Sequence, residues 1–173
     1  MLTIISGTNR KGSNTIKVAR AYEQIVKQSG SELQFLSLED LPRDFAFTYL
    51  EGHQTPEVKE LVSSYFSKAD KFIFIIPEYH GTFPGIFKLL IDAIPARELA
   101  GKKVLLVGVA VGRGGNLRGL DHLTNALHYI GMNIYPKLLP ISKFGELTDG
   151  NGMINDEATL KSIRSQVEAF LRF

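Results

Sequence analysis

Residues 72–95 read FIFIIPEYHGTFPGIFKLLIDAIP, and the fold is decided there. The first five residues, Phe72–Ile76, are apolar without interruption. A strand with one wet face alternates in polarity, whereas a strand buried on both faces does not, so this run reads as a central strand of a parallel sheet. Pro77–Phe83 is a loop. Pro84–Ile94 is a short helix, and Pro95 stops it because proline has no N–H to continue the ladder.

The same alternation extends in both directions. Upstream, Leu2–Ser6 is a strand. Thr15–Gln28 is a helix with Ile16, Ala19, Tyr22, Ile25 and Val26 at helical spacing, closed by Ser29-Gly30. Leu33–Leu38 is a second strand. Leu41–Gln54 has no clear period and reads as an irregular connection. Thr55-Pro56 places a capping hydroxyl before a first-turn proline and opens a helix running to about Ala69. Downstream, Lys103–Ala110 is another buried strand, followed by the glycine-rich loop Gly112–Gly115. Leu117, Leu120, Leu123, Leu127 and Ile130 stripe a helix ended by Gly131. Asn133–Leu139 is the last strand and Gly145–Gly152 a turn-rich loop. Leu160, Ile163, Val167, Phe170 and Leu171 mark the final helix.

Strands and helices taken in turn imply a parallel sheet with helices on both faces, joined by right-handed crossovers. Five strands favour the flavodoxin-like order 2-1-3-4-5 over the six-strand dinucleotide order. This is an α/β three-layer sandwich. Ligands of such sheets lie outside the carboxyl ends of the strands, near the point where strand order reverses. Function is therefore expected in the loops after strands one, three and four.

Composition narrows the class. The chain has 173 residues, which suits a single domain spanning residues 1–173, since domains hold roughly 100–200 residues. Hydrophobic residues make up 44% and charged residues 22%, so the chain is globular rather than disordered. A net charge of +2 is too small to argue for nucleic acid or an anionic membrane. There is no cysteine, which excludes disulfides, thiol catalysis and cysteine metal sites. Apolar runs such as Phe72–Ile76 and Val104–Val107 fall far short of the ~18–20 residues of a membrane span. The first residues carry no basic segment followed by a long apolar one. A soluble, cytoplasmic protein is expected.

The loop after the first strand, Ser6-Gly7-Thr8-Asn9-Arg10-Lys11-Gly12-Ser13-Asn14-Thr15, joins hydroxyls, glycines and cations to the start of a helix. Backbone N–H groups there, with the helix dipole, favour an anion. The hydroxyls of Thr8, Ser13 and Thr15 suit phosphate oxygens, and Arg10 adds a charge-assisted bond. Gly7 and Gly12 have the Walker A spacing, but Ser13 replaces its lysine and Asn14 its hydroxyl, which argues against a triphosphatase. The G-x-G-x-x-G dinucleotide pattern fails at Asn9. A monophosphate loop remains, beside the plainer alternative of a strand–helix turn capped by Ser13 or Asn14.

The loop after the third strand, Pro77-Glu78-Tyr79-His80-Gly81-Thr82-Phe83-Pro84-Gly85, presents flat apolar surface from Tyr79 and Phe83 and a backbone fixed by proline. A planar heteroaromatic ring with a polar edge suits it. His80 reads as a loop residue bonding near that ring in preference to an acid–base catalyst. His53, His122 and His128 form no metal-binding spacing with it, and no catalytic side chain or metal ligand is assigned. Lys88 and Asp92 are spaced for a helix-surface pair.

Two of these segments carry a resemblance. Phe72–Ala93 is similar to the signature of the NADPH-dependent FMN reductase family, a hydrophobic strand followed by P-E-Y-N-x-S-x-P-G-x-L-K-N-x-I-D. Gly7–Thr15 resembles the family's G-S-x-R-x-x-S-x-N. The order and spacing agree along essentially the whole chain. Thr8 stands for the usual Ser, Thr15 for Asn, His80 for Asn and Leu89 for Asn.

The resemblance implies a flavodoxin-like fold and non-covalent FMN. Thr8, Arg10, Ser13, Asn14 and Thr15 would hold its phosphate. Pro77, Glu78, Tyr79, His80 and Gly81 would line its ring, mostly by main chain. It further implies that Gly112, Arg113 and Gly114, in the loop after strand four, approach the ring or its ribityl chain, and that Arg113 or Arg118 meets the phosphates of NADPH. The alternative for that loop is a glycine turn with solvated arginines.

NADPH or NADH would then donate electrons to FMN, and a quinone, an azo compound, free flavin or a metal oxyanion would receive them. The resemblance also implies a homodimer or homotetramer, with the Lys88–Asp92 helix at the interface. Three rivals stand beside this reading. A flavodoxin-type electron carrier is opposed by the charge of +2 and by Arg10. A binding module without flavin chemistry is the second. A receiver domain is the third, opposed by Arg10 and Lys11 where it needs acids.

Overall fold

The computed structural model describes residues 1–46 and 55–173. Five parallel strands lie in the order β2-β1-β3-β4-β5. They are β1 (Leu2–Ser6), β2 (Leu33–Ser37), β3 (Lys71–Pro77), β4 (Lys103–Val109) and β5 (Asn133–Ile134), with a sixth short strand, β6 (Leu139–Ile141), also paired to β4. Among the described residues the α-helices used below are α1 (Asn14–Gln28), α2 (Pro56–Leu61), α3 (Gly85–Ala93), α4 (Leu117–Ile130) and α5 (Glu157–Arg172). The expected order is present, and the strand order reverses between β1 and β3.

The unbroken apolar run of β3 is explained by its burial. Phe72, Phe74 and Ile76 pack on one face with residues of α2, α3 and α4, while Ile73 and Ile75 pack on the other with residues of α1 and α5. Side chains alternate across a strand, so a strand covered on both faces must be apolar at every position. Phe87 of α3 meets the Phe74 ring edge-on at 5.2 Å between centroids. That contact seats α3 against β3.

Two elements differ from expectation. The last strand, expected over Asn133–Leu139, is split. Ile134 pairs with Val104 and Leu139 with Val107, so the edge takes five steps where β4 takes three. Pro136 sits in the interruption and has no N–H to offer β4. The helix expected from Pro56 to about Ala69 is α-helical only through Leu61 and continues as a π-helix over Val62–Ser67. Its loosened carbonyls are taken from outside. Thr3 Oγ1 donates to the carbonyl of Tyr65 at 2.8 Å and Lys102 Nζ to that of Phe66 at 2.6 Å. Of the connection expected to be irregular, Leu41–Gln54, residues 47–54 lie outside the described residues.

Candidate active site

The loops after β1, β3 and β4 meet around a cleft of about 360 Å³, within the range of small-molecule sites, roughly 300–1,000 Å³. It is lined by Arg10 to Thr15, by Pro77, Glu78 and Tyr79, and by Val109, Ala110 and Val111. One end is polar and cationic; the other is an apolar strip with an aromatic ring.

The polar end is built by the exit from β1. Gly7 donates its N–H to Ile75 O of β3 at 2.8 Å. A Cβ there would lie 2.6 Å from Ile76 Cδ1, so only glycine lets the chain turn off the sheet at this point. Ser13 then caps α1, its hydroxyl accepting the Ile16 N–H at 3.2 Å. The first-turn N–H groups of α1 and its dipole point towards the cleft end of the helix. Arg10 and Lys11 are exposed, and among the described residues neither is ion-paired. Gly12 has a φ of +62° and nothing within 4 Å of where a Cβ would be. This end suits a phosphate monoester.

Thr8 is placed differently from its neighbours. It is fully buried and does not line the cleft. Its Oγ1 lies 2.7 Å from the Tyr79 hydroxyl and accepts the Arg10 N–H at 3.2 Å. Thr8 therefore shapes the loop that carries Arg10 and ties it to the wall of the cleft.

That wall is a tight hairpin. Tyr79 and Thr82 exchange both backbone hydrogen bonds, at 2.8 and 3.1 Å. The two residues between them, His80 and Gly81, have φ of 51° and 78°. Positive φ at both central positions is the requirement of a type I′ turn, and Asn, Asp and His tolerate it better than other side chains do. His80 is thus accounted for by backbone geometry. His80 and Gly81 form the hairpin tip and are not among the cleft-lining residues.

The apolar strip comes from the end of β4 and the residues that leave it. Gly112, Arg113 and Gly114 are exposed beyond the strip and do not line the cleft. Their loop is held to the following segment by Lys143 N–H to Gly112 O at 3.0 Å and Phe144 N–H to Ala110 O at 3.2 Å. Two nearby glycines serve close packing. A Cβ on Gly108 would lie 2.0 Å from Gly115 O, and one on Gly115 would lie 2.6 Å from Pro140 Cβ.

Sequence reading missed Val109, Ala110 and Val111. The available signal was their position, since the residues leaving a parallel strand at its carboxyl end face the crevice more directly than the glycines farther along. It also missed Asn116. That side chain is buried and donates to Ile76 O at 3.0 Å, while its Oδ1 has no partner. Among the described residues, the non-glycines with positive φ are His80, Asn116 and Lys143. All three lie in the segments that follow β3, β4 and β6, so backbone strain collects at the cleft end of the sheet.

A model of the NADPH-dependent FMN reductase family matches residues 1–146. An NADPH azoreductase from Bacillus sp. (strain OY1-2) is 28% identical over 174 residues, covering 98% of this chain and 93% of that protein. An NAD(P)H:quinone oxidoreductase from Solanum tuberosum is 30% identical, covering 93% of this chain and 86% of that one. Among solved structures, the flavoenzyme NAD(P)H:(acceptor) oxidoreductase FerB from Paracoccus denitrificans superposes with a TM-score of 0.79 at 25% identity, covering 99% of this chain and 94% of that one.

Proposed function

The chain belongs to the NADPH-dependent FMN reductase family, and from that premise we propose that the cleft at the carboxyl ends of β1, β3 and β4 is where it holds FMN. It is an NAD(P)H-dependent oxidoreductase that works through FMN on a small-molecule acceptor. One observation carries the assignment to this cleft. A cationic helix N-terminus and an apolar, aromatic strip line one continuous cavity, as a molecule with a phosphate at one end and a flat ring at the other requires.

FMN, when bound there, would supply the redox chemistry between NAD(P)H and the acceptor. The protein binds and orients. Arg10, Lys11 and the Ser13 and Thr15 hydroxyls receive the phosphate, with Asn14 opening the helix behind it. Ser13 keeps its own proton to donate, because its oxygen accepts from Ile16. Pro77, Glu78, Tyr79 and Val109–Val111 would enclose the ring. His80 and Gly81 set the hairpin that aims Tyr79. Gly112, Arg113 and Gly114, exposed at the rim, receive the part of NAD(P)H or acceptor that projects from the cleft.

Acceptor class follows the relatives. Quinones and azo compounds are the first choice, since related proteins carry the names quinone reductase and NADPH azoreductase. Free flavin and metal oxyanions remain to be compared with them. Residues 1–173 act as one domain and assemble as a homodimer or homotetramer in the cytoplasm. Assembly is supported by the outer face of α4, which leaves Tyr129 94% and Leu117 50% exposed. On α3, the exposed Lys88 is paired to Asp92 at 2.6 Å. Among the described residues no helix is long and apolar enough to cross a membrane.

The test is a visible spectrum after FMN is added and the excess removed, followed by anaerobic NADPH or NADH. A retained flavin band that bleaches promptly is expected. A retained band that neither nucleotide bleaches would make the protein an electron carrier served by another reductase. Assays with a quinone, an azo dye, free flavin and chromate then rank the acceptors, and light scattering gives the assembly.

A further inference from the structure

We propose that His122 is a positioning residue for the cleft, holding the Tyr79–Thr82 hairpin in place through Thr82. This rests on the reading of the cleft as the FMN site, since the hairpin matters to the reaction only if Tyr79 borders the cofactor.

The basis is a row of three residues on α4 and its cap. Asn116 is the left-handed cap, and Gly119 and His122 are i, i+3 neighbours on the helix that follows. Each meets β3 or the loop that follows it. Asn116 Nδ2 donates to Ile76 O at 3.0 Å. Gly119 brings the helix backbone against the hairpin, since a Cβ there would lie 2.8 Å from the Thr82 carbonyl carbon and 2.1 Å from Asn116 Oδ1. His122 Nδ1 lies 3.0 Å from Thr82 Oγ1. The row therefore closes on β3 at Ile76 and twice on Thr82, the far strand residue of the hairpin.

Thr82 passes the restraint to the cleft by main chain. It exchanges both backbone bonds with Tyr79, whose side chain lines the cleft and whose hydroxyl meets Thr8. A chain of hydrogen bonds thus runs from α4 through the hairpin to the loop that carries Arg10. The hairpin's central residues are both at positive φ, a conformation that costs energy at His80 and persists only where the surroundings hold it. His122 supplies part of that hold.

The experiment is amide hydrogen exchange on the full chain without FMN, followed by FMN titration. His122→Ala is expected to speed exchange at Tyr79 and Thr82 by about fivefold, the effect of one net hydrogen bond, with the β-strand amides of Ile73 and Leu105 unchanged. His122→Asn restores protection, because its side-chain amide places a polar atom where Nδ1 stood. Thr82→Val removes the same bond from the other side. It should match His122→Ala, and the double variant should be no worse than either. FMN affinity should fall in His122→Ala and Thr82→Val and recover in His122→Asn.

Unchanged exchange at Tyr79 and Thr82 in Thr82→Val overturns the proposal, and that variant decides even if His122→Ala fails to fold. Equal acceleration at Ile73 and Leu105 also overturns it, since the effect would then be general loss of stability. A wild-type protein that retains no FMN but shows the expected exchange pattern supports the hold on the hairpin and overturns the reading of the cleft.

Discussion

The hydroxyl oxygens of Thr8 and Tyr79 lie 2.7 Å apart, joining the loop after β1 to the loop after β3 by their side chains. Thr8 Oγ1 also accepts the Arg10 N–H, so the position of the cation depends on the same hydroxyl. Tyr79→Phe keeps the ring and removes the link. FMN binding should weaken by about three- to tenfold, as expected for one intramolecular hydrogen bond. Titration by flavin fluorescence reads it directly, and an unchanged dissociation constant would mean that the two loops are held in register by other contacts.

Arg10→Ala removes an exposed guanidinium from the polar end of the cleft. Charge-assisted bonds to phosphate are among the stronger polar contacts, and a loss of about tenfold in FMN affinity is expected. Raising the salt concentration should narrow the gap between variant and wild type, because an exposed charge is screened over about 10 Å at 0.1 M salt. Lys11→Ala should cost less, since lysine lacks the planar fork that matches phosphate. An Arg10→Ala protein with wild-type affinity at low salt would remove Arg10 from the phosphate site.

The fold was legible because its signals are local. The apolar run at Phe72–Ile76, the Thr55-Pro56 start and the glycine stop at Gly131 each report on a few adjacent residues. What escaped is held from far along the chain. The π-helix at Val62–Ser67 depends on Thr3 and Lys102 reaching its carbonyls, and no window around Val62 contains either. Thr8 reads from composition as a phosphate ligand, yet its hydroxyl is committed to a tyrosine at a sequence separation of 71. Asn116 looks like one more polar residue in a glycine-rich loop until it is seen donating to Ile76 O. The interrupted edge strand was within reach, since Pro136 inside Asn133–Leu139 argues against continuous pairing.

His80 occupies a position defined by its φ of 51°. His80→Asn should therefore fold normally and keep turnover within about threefold of wild type, because Asn also enters the left-handed region readily. His80→Val should destabilise the protein by about 1–3 kcal/mol through backbone strain and lower FMN affinity as the hairpin loosens. Turnover and denaturant midpoints of the two variants separate the roles. A loss of several orders of magnitude in His80→Asn turnover would show that the imidazole itself takes part in the reaction.

Tyr22 and Gln166 form a buried polar pair that locks α1 to α5. The Tyr22 hydroxyl donates to Gln166 Oε1, and Gln166 Nε2 donates to Lys137 O at 2.7 Å. Burial pushes the Tyr22 hydroxyl well above its ordinary pKa, which keeps it a neutral donor. Tyr22→Phe leaves Gln166 Oε1 buried without a partner and should cost about 1–3 kcal/mol in urea unfolding. Gln166→Leu strips both ends of the arrangement, and the double variant should lose less than the two singles combined. FMN affinity should be unaffected, because the pair does not line the cleft.

Acid should open the same helix from its other end. Asp156 caps α5, its carboxylate accepting the Thr159 N–H at 2.7 Å. Hydrogen bonds from Thr159 hold that carboxyl below its usual range. A lowered folded-state pKa means that the unfolded chain binds the proton first as pH falls. The cap's contribution is therefore complete above the ordinary aspartate value, about 3.9, and is lost as pH drops through the lower folded value. Asp156→Asn keeps an oxygen that can cap the helix but does not titrate. Between about pH 7 and about pH 3 the melting temperature of the wild type should fall more steeply than that of Asp156→Asn, the remaining carboxylates being common to both. Parallel curves would show that the cap is worth the same in either protonation state, and that acid sensitivity arises elsewhere in the chain, with the ion-paired Glu23 the next carboxylate to test.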